Sequence, residues 1–421
     1  MKEFLDTQKK LIGIILVTSI LFARCNLGIT YSKWFVLINL LVNGLTFAYC
    51  LWLGINDKAT IKKALLNPAV AWILFFSAIV IVYGHFHIRF GAPYYSRQIT
   101  VLTVVPAILL LILFFYLKDD VLDVMSISGS VVIITTLITS LLYDKVWADW
   151  LKGQYYRVGE TPAGGDIDTG NLILMLLIPI LYQIIINKKI KGYFLFAVVG
   201  LFQILAAGSK SSVLPLVLVI AIMLIGSAKD KKTIRRNVII VIVLGILAFV
   251  AVMLVPALYS VIGKRLVEMF VQTSATEIDL KTSTGQRLAQ IAAFKEHFGE
   301  YPIFGHGFYA FKEMPYSALE AVRLNDEATE FMYQHLQLHM NYMEILFSYG
   351  IFGFIAYYWF PIYILIKTVR TNRQTIILVA SIMTSMFFMD LGLDMYYRYL
   401  VPYMAYFLAY YLIVNGKQNE Q

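Results

Sequence analysis

The sequence predicts an all-α, polytopic membrane protein with about twelve transmembrane helices and one large extramembrane loop. Three observations predict it. Hydrophobic residues make up 59% of the chain and charged residues 14%, against about 25% charged in ordinary globular chains, and the mean hydropathy is +0.72. About twelve stretches approach the ~20 apolar residues that a helix needs to cross ~30 Å of hydrocarbon. Lysine and arginine alternate in abundance between successive connecting segments. At 421 residues the length alone would suit two or three soluble domains, yet no soluble core could hide so much apolar side chain. Disorder, nucleic-acid binding and soluble catalysis are excluded together.

The expected spans, in order, are 11–29, 34–53, 69–85, 100–117, 121–143, 171–186, 192–207, 212–225, 237–259, 342–366, 375–391 and 397–414. Arg24 and Asn26 interrupt the outer half of the first. No small-residue cleavage site follows it, so it reads as a span and not as a removed signal. With a cytoplasmic N-terminus, the inside segments hold 19 of the 35 basic residues. Sixteen remain outside, seven of them in one long loop that the positive-inside rule does not count. The net charge of +9 therefore reports orientation, with both termini cytoplasmic. Cys25 and Cys50 fall at opposite ends of their spans, too far apart for a disulfide. The expected organisation is nine helices over 1–259, a large outer loop over 260–340 and three helices over 341–421.

Two outer loops are long. That over 144–168 contains Tyr155-Tyr156-Arg157 and the turn-rich Thr161-Pro162-Ala163-Gly164-Gly165. In the larger one, Ser283-Thr284-Gly285-Gln286 fits a capping box, Ser at the N-cap with Gln three residues on. The helix it starts is expected to run to about Phe298 and to stop at Gly299, with Pro302 beyond. Arg287 then falls in the first turn, where a cation opposes the helix dipole. Two readings stand: free N–H groups and a guanidinium forming an anion cradle, or an exposed arginine paired with Glu277 or Asp279. After the turn Phe304-Gly305-His306-Gly307-Phe308, a second helix is expected from about Tyr316 to the membrane. It would put His335 and His339 on one face beside Tyr342. The zinc-protease pattern needs Glu after the first His, and Leu336 stands there, so no metal is expected. His335 reads as a headgroup anchor. His339, at the lip of a span, reads at least equally as a base.

Lys210, in Gly208-Ser209-Lys210-Ser211-Ser212, joins two spans near the outer surface. It either snorkels or marks function, as ionisable groups at membrane depth do by default. Asp394 and Arg398, in the last outer turn, also read as a simple ion pair. Lys210, Arg287 and Arg157 together gather cations on one leaflet beside a histidine able to accept a proton. Such a set suits a lipid-linked sugar diphosphate, whose leaving group needs only charge neutralisation, and a sugar hydroxyl, which profits from a base. No nucleotide-binding Gly-rich loop stands on the inside, and no cofactor is required.

Three motifs make the chain resemble the O-antigen ligase and polymerase superfamily of bacterial inner membranes. Gly208-Ser209-Lys210-Ser211-Ser212 looks like its Ser-Arg motif with Lys at the Arg position. Thr284-Gly285-Gln286-Arg287-Leu288-Ala289, followed by Pro302-Ile303-Phe304-Gly305-His306-Gly307, looks like its loop motif. Leu338-His339-Met340-Asn341-Tyr342, followed by Gly350-Ile351-Phe352-Gly353, looks like its loop-exit motif. The resemblance implies a periplasmic site in which Lys210 and Arg287 hold undecaprenyl diphosphate and His339 activates the acceptor hydroxyl. Arg157, Asn341, Tyr342, Asp394 and Arg398 are further candidates for diphosphate or sugar contacts. The implied partners are an undecaprenyl-diphosphate-linked glycan, a lipid A–core acceptor and membrane lipids. Two positions depart: Lys210 lacks the guanidinium fork, and Met340 stands where the family usually has Asn. The stretch from Gly392 to Arg398 and the spacing from Arg287 to His339 resemble ligases. A polymerase of lipid-linked repeats is the alternative, and a transporter of the same lipids the third.

Overall fold

The structure, a computed structural model, describes residues 2–27, 32–86, 104–254 except 153 and 156, 283–308, 310–313, 338 and 340–392, with single residues at 259, 263 and 267. Its helices are α1 (Lys2–Phe22), α2 (Lys33–Asn56), α3 (Lys58–Leu65), α4 (Pro68–Phe86), α5 (Val105–Leu117), α6 (Val121–Tyr143), α7 (Trp147–Leu151), α8 (Asp166–Ile185), α9 (Ile190–Ala207), α10 (Lys210–Gly226), α11 (Lys231–Leu254), α12 (Ser283–His297), α13 (Asn341–Thr368) and α14 (Arg373–Asp390). Among the described residues there is no strand, only an isolated bridge between Thr161 and Gly164. The all-α class is as expected.

Among the described residues, seven helical runs are long and apolar enough to cross a membrane, or eight if α3 and α4, bent by 49°, make one span. The chain is a multi-pass membrane protein. The expected twelve are not all counted, for physical reasons. The run Val105–Tyr143 is 39 residues long, about 58 Å if straight and near twice the hydrocarbon thickness. The turn Lys118–Asp120 divides it, with Lys118 at φ 50°, ψ −112°. At 17 residues α10 is shorter than a full span, and 397–414 lies outside the described residues. Where Arg24 and Asn26 interrupt the first span, α1 passes into a π-helical turn, Ala23–Leu27, a widening that often re-aims side chains at functional places.

One ion-pair cluster orients the bundle. Lys10 lies 2.9 Å from Asp120 and 3.1 Å from Asp123, and Lys189 lies 2.9 Å from Asp123. Gln183 donates to the same carboxylate at 2.7 Å. These partly exposed pairs contribute little stability, but they gather three of the lysine-bearing segments at one end. Because α8 ends and α9 begins there, the start of α8 and the end of α9 lie at the opposite end. The long α8 is the central helix, 83% of its span buried, whereas α11 is peripheral at 7%. Gly170 lets α8 approach its neighbours: a Cβ there would stand 2.9 Å from Ala207 and 3.1 Å from the Ser212 hydroxyl.

Candidate active site

At the end opposite the lysine cluster, α9 stops on Gly208 in the left-handed conformation (φ 57°). Extended Ser209 then N-caps α10, so Lys210 is its first residue. The Ser209 and Ser211 hydroxyls share a hydrogen bond of 2.7 Å, and Ser211 donates to Asn171 Oδ1 of α8 at 3.1 Å. This short network fixes the joint and leaves Lys210 half-buried at a helix N-terminus.

Arg287 comes to the same place. Its Nη2 donates to the Gly392 carbonyl over a long 3.4 Å. A Cβ on Gly392 would stand 3.2 Å from the Ser211 Cβ and 3.9 Å from Arg287 Nη2. The Ser-Lys motif, the loop arginine and the end of α14 thus meet around one glycine. Among the described residues, Arg287 Nε is buried without a hydrogen-bond partner. Burial pulls the guanidinium below its usual range, and repulsion from Arg157 adds to this; an arginine stays charged through such a shift. Arg157 Nε lies 3.9 Å from Asp166. The next residue, Val158, donates its N–H to the Ala206 carbonyl at 3.2 Å and so holds the loop against the end of α9. Arg287 and Arg157 are therefore brought together, and the segment that carries Lys210 meets Arg287 at Gly392. The expected helix of Arg287 is present as Ser283–His297 followed by a 3-10 turn to Glu300. It begins at Ser283 itself, so Arg287 is its fifth residue and stands beyond the first turn.

The loop exit differs from expectation. Leu338 and Met340 are not helical, and Met340 is the extended N-cap of α13 (φ −136°, ψ 115°). A helix continuous through 338–340 into the span is therefore not formed. Asn341 is the first residue of α13. His335, His339, Asp394 and Arg398 lie outside the described residues. On either side of His339, Leu338 is buried and Met340 half-buried.

Asn341 and Tyr342 anchor α13 on α14 near Gly392. Asn341 Nδ2 donates to Tyr358 Oη at 3.2 Å, Tyr358 donates to Asp390 Oδ2 at 2.7 Å, and Tyr342 donates to the Phe387 carbonyl at 3.1 Å. Asp390 is fully buried, and sequence reasoning missed it. An aspartate closing an apolar span was its signal, overshadowed by Asp394 four residues on.

Beyond this, α13 is broken at Gly350 (φ 65°, ψ −167°). The turn after Pro302 uses the backbone groups the break sets free. His306 and Gly307 donate N–H to the carbonyls of Phe347 and Ser348 at 2.8 and 3.0 Å. Ile351 and Phe352 donate to those of Pro302 and Ile303 at 2.9 and 3.0 Å. Only glycine fits the crossing: a Cβ on Gly305 or Gly350 would lie 2.3–2.6 Å from the other segment's backbone. The His306 ring stacks on Phe347 at 4.3 Å, and Phe294 of the Arg287 helix packs on the same phenylalanine at 6.1 Å. From α4, Tyr83 donates to the Phe304 carbonyl at 2.7 Å. This clasp ties the helix of Arg287 to the span that follows His339. The two glycine motifs signalled it, but their pairing was not legible.

Residues 195–358 match the family model described as O-Antigen ligase. No curated protein matches the chain. The matched stretch begins in α9 and ends in α13, and so includes Lys210, Arg287, the clasp and Asn341. Over residues 195–358, the chain is therefore similar to the O-antigen ligase family.

Proposed function

We propose that the protein is an O-antigen ligase that transfers a polysaccharide from undecaprenyl diphosphate to a sugar hydroxyl of lipid A–core, on the periplasmic face of the inner membrane. One observation carries this reading: two cation-bearing motifs, 77 residues apart in sequence, meet at Gly392. In the reaction the bond between the anomeric carbon and the diphosphate oxygen breaks, and a bond from the acceptor oxygen to that carbon forms. Lys210 and Arg287 hold the growing negative charge of the departing diphosphate. A buried guanidinium is worth more in this role than one in water, because low dielectric strengthens it and no reorganisation is needed. The Arg287 Nε and the N-terminal N–H groups of α10 supply further donors for phosphate oxygens. Arg157, oriented by Asp166, extends the cationic wall.

His339, adjacent to the anchored start of α13, takes the hydroxyl proton. Asn341, Tyr342 and Asp390 act through the backbone by fixing where that segment begins. The break in α13 supports an enzyme over a transporter. In transporters, freed backbone groups of broken helices line substrate and ion sites; here the turn 302–307 takes them up.

The test uses purified protein in liposomes with undecaprenyl-diphosphate-linked polymer and lipid A–core. Release of undecaprenyl diphosphate together with glycan-capped lipid A is expected. Elongated polymer still on undecaprenyl would mark a polymerase and overturn the ligase reading. Translocation with all linkages intact would overturn both.

A further inference from the structure

At the lysine-rich end, far from the cations just described, α2, α3 and α5 enclose a groove of about 450 Å³. That volume is within the ~300–1,000 Å³ of small-molecule sites. Its walls are apolar, formed by Phe47 and Leu51 of α2 and by Ile108, Leu109 and Ile112 of α5. Lys58 of α3 is the charged side chain among the lining residues. Nothing in the walls would recognise a sugar or a peptide backbone.

The helix α3 explains the lysine's place. Asp57 caps it, accepting the Thr60 N–H at 3.0 Å, and it is bent by 49° from α4. Along its eight residues Lys58, Ile61 and Leu65 share a face and line the groove. Lys62 and Lys63 are exposed, while Ala64 is buried. Short, amphipathic and basic, it has the make-up of a helix in the headgroup layer. Beside it Trp52 stacks on Tyr49 at 5.6 Å, an aromatic pair of the kind that marks membrane interfaces. Apolar walls running into the bilayer, with ammonium groups at the mouth, complement one kind of molecule: a chain in the hydrocarbon with a phosphate at the surface.

We propose that this groove is a binding site for an anionic glycerophospholipid, with one acyl chain between α2 and α5 and its phosphate held by Lys58 and Lys62. This is independent of the transfer reaction, whose proposed site is at the other end of the bundle. A zwitterionic lipid fills the same apolar walls but brings its own cation to the lysines, so the site discriminates by headgroup charge.

The experiment offers the full-length protein, in mild detergent, equal amounts of phosphatidylglycerol and phosphatidylethanolamine with identical chains. Retained lipids are counted by native mass spectrometry. Each basic side chain near a membrane surface adds about fivefold in affinity, so the wild type is expected to retain one phosphatidylglycerol with a preference of roughly twenty-five-fold. Lys58→Ala with Lys62→Ala, both exposed and outside the packed core, removes that preference. Gly54→Leu, which puts a side chain into the groove, lowers retention of both lipids. Lys229→Ala with Lys231→Ala, lysines of another connecting segment, changes neither. Equal retention of the two lipids by the wild type overturns the proposal, and so does an undiminished preference in the Lys58/Lys62 variant.

Discussion

Replacing Gly350 by alanine tests whether the clasp between the 302–307 turn and α13 holds the site together. At φ 65°, ψ −167° the residue occupies a region essentially confined to glycine, where a side chain costs of order 1–3 kcal/mol. Worse, the new Cβ would lie 2.3 Å from the Ile303 carbonyl. Backbone cannot yield there as a flexible side-chain tip can, so the turn must move away. That forfeits up to four inter-segment hydrogen bonds, each worth about 0.5–1.5 kcal/mol net. The combined cost, about 3–9 kcal/mol, exceeds what a local contact survives, while α13 keeps its packing through Tyr357 and Phe360 on Trp72. The expected outcome is a membrane-inserted protein with an open clasp. Amides of His306, Gly307, Ile351 and Phe352 should exchange at least about 100-fold faster, since each 1.4 kcal/mol is a factor of ten. Glycan transfer should fall in parallel, because the helix of Arg287 loses its seat against Phe347. Gly299→Ala is the control, as a Cβ there meets nothing within 4 Å. Wild-type exchange and transfer in Gly350→Ala would refute the reasoning.

Arg287→Ala is expected to lower transfer by about 10²–10³-fold, the usual effect of removing one charge-stabilising donor, with unchanged insertion. Lys210→Arg should keep substantial activity and Lys210→Ala should not; equal activity of these two variants would make Lys210 an anchor only. For His339→Ala the expectation is lost transfer with retained donor binding, measured by co-purification of the lipid. Loss of binding would make His339 a substrate ligand. The clasp should also loosen on acidification. Burial against Phe347 lowers the His306 pKa, partly offset by Glu300, and a hydrogen bond from His297 lowers that of Glu300. Both groups are held below their unfolded values, so their stabilisation is present at neutral pH and is lost as pH falls through the folded values. For the histidine this window begins below about 6.5. Lower protection of the Gly307 amide at pH 5 than at pH 7, taken relative to its intrinsic exchange rate at each pH and flattened in His306→Gln, is the measurement.

Most spans were legible because apolar length and basic flanks fix them independently of packing: 121–143 is α6 to the residue. The convergence of Lys210 with Arg287 was legible as chemistry, two cations on one leaflet, but not as geometry. It depends on Gly392 and Ser211, small residues whose role is to take up no room. The clasp escaped for a different reason. Its bonds run between main chains, and only the absence of side chains at Gly305 and Gly350 leaves a trace in sequence. The start of α13 was legible to within one residue, but the helix expected to run into it was not interrupted in the sequence reading, whereas Met340 is an extended N-cap.

The bond from Tyr83 to Phe304 has a practical corollary for anyone building chimeras. The region that matches the family model, 195–358, borrows walls from chain that precedes it: Tyr83 and Trp72 on one flank, Arg157 and Asn171 on the other. A transplanted outer loop would arrive without its seat unless the recipient's fourth helix and its interrupted thirteenth come from the same donor. Swaps made at those helix boundaries should yield working hybrids, while exchanges confined to the loop should insert normally and fall silent.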